Sequence, residues 1–106
     1  MLSKLNPLIF DPSVESIECP GPGKTLLVNR SGVMQTTNMI LNFEETKKIM
    51  EEFSKLTKIP LSQHGVFRGA IGKLIITAVI SEFVGTRFMI QKKSQQRPLP
   101  SAPYQI

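Results

Sequence analysis

The chain has 106 residues, 41% of them apolar, with no Trp and a single Tyr, which suits one globular domain rather than a disordered segment. Its one cysteine, Cys19, excludes an intramolecular disulfide, and with the lone His64 it excludes a four-ligand Cys/His zinc site. The net charge of +5 is lopsided: residues 1–50 hold five basic and five acidic side chains, residues 51–106 eight basic and three acidic, so either the second half meets an acidic or phosphate-bearing partner or it is a solvated surface.

In chain order, Leu5, Leu8 and Ile9 suit a short helix within residues 3–10, and Asp11-Pro12 breaks it. Lys4, Asn6 and Asp11 interrupt the start too early for a signal peptide, which points to the cytosol. Val14 to Cys19 alternates imperfectly and reads as an edge strand. Cys19 near its end reads as a small buried hydrophobe rather than a reactive thiol. Pro20-Gly21-Pro22-Gly23 is a turn, because Pro fixes φ and Gly accepts positive φ. Lys24 to Asn29, with Leu26 and Val28 on one face, and Val33 to Met39 form a hairpin around Arg30-Ser31-Gly32.

Asn42 and Glu45 make a capping-box pattern at the start of an amphipathic helix over about 42–58. Phe43, Ile49, Met50, Phe53 and Leu56 fall on its apolar stripe. Glu44 with Lys48 and Glu51 with Lys55 are i,i+4 pairs in the favourable order. Ile59-Pro60 ends it. Val66 to Ile71 reads as a short strand. Leu74 to Ile80 is continuous and β-branched, as expected of a central strand covered on both faces, and is far shorter than the roughly 20 residues a membrane span takes. Phe83-Val84-Gly85 turns the chain. Thr86 to Lys92 returns with Phe88 and Ile90 inward and Arg87 and Gln91 outward. The expected fold is α+β: a mixed, largely antiparallel sheet of five to six strands with one long helix and a short amino-terminal helix, over residues 1–93. Residues 94–106, with Pro98, Pro100 and Pro103 and no acid, read as a linker or tail.

Catalytic patterns are missing. Gly23-Lys24-Thr25 imitates the end of a phosphate-binding loop, but Glu18 stands where the first Gly belongs and a strand follows in place of a helix. The one His has no nearby acid to orient it. The chain is therefore expected not to be an enzyme and to hold no cofactor or metal. The features that suit a phosphate are the cations Arg68, Lys73, Arg87 and Lys92, close together if the strands pair as read. Their plain alternative is a charged edge that resists strand pairing. Phe67 and Phe88, the aromatics beside this charge, face the core, so nucleic acid is not the expected ligand.

Three stretches carry a family likeness: Leu5-Asn6-Pro7-Leu8-Ile9-Phe10-Asp11-Pro12, then Val14 to Cys19 with Gly21-Pro22-Gly23, then Leu27 to Gly32 with Thr36-Thr37-Asn38. An amphipathic helix and the strand Gly85-Thr86-Arg87-Phe88-Met89-Ile90 follow in order. Residues 5–93 thus resemble the amino-terminal domain of the archaeal branch of the type II/type IV secretion ATPase superfamily, which serves pili, archaella and protein secretion. Arg68 to Leu74 and Ile90-Gln91-Lys92 depart from the family's usual hairpin and closing strand. The resemblance implies a non-catalytic regulatory and assembly domain in a cytoplasmic hexamer, peripheral to a membrane secretion complex. Its partners would be its own C-terminal ATPase domain, neighbouring subunits and a membrane platform protein. ATP and Mg would belong to the parent ATPase. The alternative is a stand-alone adaptor or nucleic-acid binder that uses the basic second half.

Overall fold

The computed structural model describes residues 4–62 and 64–93; the linker expected over 94–106 lies outside them. The elements are α1 (Asn6–Ile9), β1 (Val14–Cys19), β2 (Thr25–Arg30), β3 (Val33–Ile40), α2 (Phe43–Thr57), β4 (Gly65–Ile71), β5 (Leu74–Ile80) and β6 (Arg87–Lys92). The six strands form one sheet in the order β3-β2-β1-β6-β5-β4. Every pairing is antiparallel. The sheet is two three-stranded meanders joined through β1 and β6 at its centre.

Local chemistry sets each connection. Ser31 and Gly32 both have positive φ, 54° and 86°, the geometry of a two-residue hairpin turn that follows the natural strand twist. Asn29 Oδ1 accepts the Gly32 N–H at 2.9 Å and closes that turn. Gly72-Lys73 makes the corresponding two-residue turn between Ile71 and Leu74. Between β3 and β4 the chain crosses from one sheet edge to the other, and α2 makes that crossing. Asn42 Oδ1 accepts the Glu45 N–H at 2.8 Å, and Glu45 Oε1 accepts the Asn42 N–H at 2.8 Å. This capping box satisfies two backbone donors that the first helical turn leaves open. Lys58 ends the helix in the left-handed region.

Register fixes the faces, because paired residues point the same way and alternate along each strand. Ile17, Cys19, Leu26, Val28, Phe67, Ile76, Ala78, Phe88 and Ile90 share one face and are buried. Ile49, Met50 and Phe53 of α2 and Leu5 beside α1 complete that core. The opposite face carries neither helix. Gly69 sits where β4 passes closest to the helix end: a Cβ there would lie 2.9 Å from Ile59 Cδ1.

Five expectations change. The sheet is not mixed. All the strand-to-strand connections within each meander are short, and the long helical crossing returns the chain to an edge whose neighbour also runs antiparallel. Val14–Cys19 is central rather than an edge strand. A bulge between Val14 and Ser16 throws Glu15 out of register, so an inward-facing strand shows broken alternation in its sequence. Leu74–Ile80 lies second from the edge and is covered on one face only; its continuous apolar run reflects an apolar open face. On α2, Phe43 and Leu56 are exposed, and Thr46 is buried in their stead. Its hydroxyl donates to the Phe43 carbonyl at 2.9 Å, which removes the cost of burying it. The helix is of modest length, 15 residues.

Candidate functional site

The open sheet face is built from residues that the core rejects. Across β3, β2, β1, β6, β5 and β4 one row reads Thr36, Leu27, Glu18, Met89, Thr77, Arg68. The next row toward the β5–β6 loop has Arg87, Val79 and Val66 side by side. On the other side lie Met34, Asn29, Ser16, Gln91, Ile75 and Ala70. Arg68 and Arg87 therefore share this face, both exposed, with β5 between them. Neither guanidinium has a hydrogen bond or ion pair among the described residues. A guanidinium carries five donors in a planar fork suited to carboxylate or phosphate. Two such forks beside Ile75, Val79 and Met89 make a surface fit to receive an acidic partner, opposed by Glu18, which stands one strand beyond Met89 in the same row.

Lys73 and Lys92 are elsewhere. They lie at the sheet end where β6 stops and β5 begins, with Leu74 paired to Lys92. Lys92 Nζ donates to the Asp11 carbonyl at 2.7 Å and the Leu8 carbonyl at 3.3 Å. Burial pulls its ammonium below the usual lysine range, and the Asp11 charge opposes that. Lys73 sits in the turn, where its carbonyl accepts the Lys93 N–H at 2.7 Å. The four cations singled out in the sequence thus divide into two sets at different places.

Sequence reasoning missed the cluster that Lys92 joins. Arg30 Nη1 donates to Asp11 Oδ2 and, at 2.7 Å, to Ser13 Oγ. The other Asp11 oxygen accepts from the Ser13 N–H at 2.9 Å and the Ser13 hydroxyl at 2.7 Å. The Arg30 hydrogen bond first, then those from Ser13, hold the Asp11 carboxyl down from 3.8 to about 2. Asp-Pro-Ser carries the signal of an Asx turn, but nothing local announces its partner nineteen residues later. This cluster ties the segment after α1 to the sheet and has no open group aimed at a ligand.

Two hollows flank α2. One, of about 520 Å³, is lined by Lys4, Glu45, Lys48, Glu52 and Lys55 among others. The Lys4–Glu45 ion pair, 2.7 Å long, closes one side. The other, of about 430 Å³, lies between Phe43, Met50, Leu61 and Ile80, with Lys47 and Glu82 at its rim. Cys19 is buried, its thiol pushed up by burial and directed at the Gly21 carbonyl. Gly23-Lys24-Thr25 is a turn leading into β2. Among the described residues no three His, Cys, Asp or Glu side chains gather as a metal site, and no helix is long and apolar enough to cross a membrane.

This two-meander antiparallel sheet with one crossing helix recurs as part of one solved secretion ATPase. The VirB11 ATPase of the Brucella suis type IV secretion system, solved in complex with sulphate, superposes with a TM-score of 0.77 at 17% identity. The match covers 92% of this chain and 31% of that one, so the chain spans less than a third of the ATPase it resembles. No family model and no curated protein matches the sequence. At this identity the likeness is one of fold.

Proposed function

We propose that the chain is the non-catalytic amino-terminal domain of a secretion-type ATPase, docked through its open sheet face against a P-loop motor domain that lies outside these residues. The observation that carries this reading is the coverage: nearly the whole of this chain superposes on under a third of a secretion ATPase. The matching motifs of residues 5–93 favour an archaeal-type branch, with a regulatory and assembly role in a hexameric ring. ATP and Mg belong to the motor. The domain itself works on the cytoplasmic side, beside a membrane platform protein.

In this reading Arg68 and Arg87 receive an acidic or phosphate-bearing surface of the motor, and the apolar side chains beside them are covered on docking. Lys73 and Lys92 brace the fold. The test begins with the coding sequence beyond Ile106. Continuation into a strand, a Gly-x-x-x-x-Gly-Lys-Thr loop and a helix is expected. Failing that, a separately encoded motor should bind this chain, and the Arg68→Glu, Arg87→Glu pair should weaken that binding at least about tenfold. If neither a fused nor a separate motor exists, the reading is wrong. A steep fall of nucleic-acid binding with salt would instead select the stand-alone binder.

A further inference from the structure

The loop between β5 and β6, residues 81–86, places its two bulkiest apolar side chains in solvent. Phe83 is 89% exposed and Val84 74%. This exposure is constructed rather than frayed. Ser81 Oγ accepts the N–H groups of Phe83 and Val84 at 3.1 and 3.2 Å, and the Ser81 carbonyl accepts the Gly85 N–H at 2.9 Å. Gly85 lies against Pro22 and Phe43, so closely that a Cβ would stand 2.4 Å from Pro22 Cγ. The loop is thereby anchored to the β1–β2 turn and to the first turn of α2. Phe43, half-exposed, extends the apolar surface at its foot.

We propose that this loop is a lipid-contact tip: Phe83 and Val84 enter the interfacial layer of an anionic bilayer while neighbouring cations meet the headgroups. Two physical points favour lipid over a protein groove. Backbone inserted into an apolar layer must have its donors satisfied internally, and the amides of Phe83, Val84 and Gly85 are all bonded to Ser81. Two side chains also fall well short of the roughly 800 Å² per partner that a stable protein interface uses, whereas shallow, reversible membrane attachment needs only a small apolar insertion plus positive charge. Lys24 lies two residues from Pro22, and Lys47 lines the hollow that Ser81 and Glu82 also line. Glu44 and Glu82 oppose them, and the chain as a whole carries +5. The inference rests on this loop and not on the motor-domain reading, and vesicles test it in the absence of any motor.

The chain has no Trp, so Phe83→Trp installs a single fluorescent reporter, and Val33→Trp, exposed at the opposite sheet end, is its control. On vesicles of phosphatidylcholine with phosphatidylglycerol, Trp at 83 should shift to the blue and be quenched by brominated lipid, while Trp at 33 should not. The Phe83→Ser, Val84→Ser double variant, altered only at exposed positions, should keep its helical and strand circular dichroism and partition at least about tenfold less well. Vesicles of phosphatidylcholine alone should bind about tenfold less of the parent chain. The proposal fails if the chain ignores vesicles, if the double variant binds undiminished, or if lipid charge makes no difference. It also fails if the blue shift arises without lipid as protein concentration rises, which would assign the tip to a second copy.

Discussion

Asp11 is held ionised by Arg30 and Ser13 to about pH 2, and that makes its contribution visible in acid. Because its folded value lies below the ordinary 3.8, the stabilisation is complete above that value and drains away as the pH falls toward 2. Thermal melts between pH 5 and 2 should show Tm falling in the parent chain, with a shallower fall and a lower neutral-pH Tm in Asp11→Asn. Gly85→Ala should cost ~2 kcal/mol in denaturant melts, since φ is +85° and the new Cβ would strike Pro22. Single residues were only partly legible beforehand. Cys19 was readable as a buried hydrophobe, and Phe88 and Ile90 as core, because alternation in a regular strand shows which way each side chain faces. The Asp11–Arg30–Ser13 cluster was not, because it joins residues nineteen apart that no local pattern links. The separation of Arg87 from Lys92 was open to reading, since they stand at opposite ends of one strand.

The helix is the element most plainly written in the sequence, because a capping box and a 3.6-residue stripe are both local. Asn42→Ala should therefore cost about 1 kcal/mol, read as a lowered midpoint in urea with an unchanged slope. Phe53→Ala, at a fully buried site, should cost about 3–5 kcal/mol by emptying the contact between α2 and the sheet. If Phe53→Ala matches Asn42→Ala in cost, the helix does not close the core as described. The strands were legible as strands but not in their placement. The bulge at Glu15 disguised the central β1, and the apolar outer face of β5 imitated burial on both sides. Continuous hydrophobicity says that a strand avoids water, not which neighbour performs the covering.

Taken whole, the described residues present one covered and one open sheet face, and Arg68 and Arg87 stand on the open one. Reversing Arg68 and Arg87 together should leave the free energy of unfolding within about 0.5 kcal/mol of the parent, since neither has a partner among the described residues, while weakening binding to an acidic docking surface at least about tenfold. The purified chain should hydrolyse no ATP; turnover that survives repurification and is lost in Arg87→Ala would refute the non-catalytic assignment. The order of strands also has a mechanical side. Entry at Val14 and exit at Lys92 fall at the same end of the two middle strands, which run in opposite directions. Tension applied between the two ends of this body therefore peels β1 from β6 one hydrogen bond at a time, like a zipper, instead of shearing the whole ladder at once. A tether through both ends would make this domain a compliant joint rather than a stiff strut.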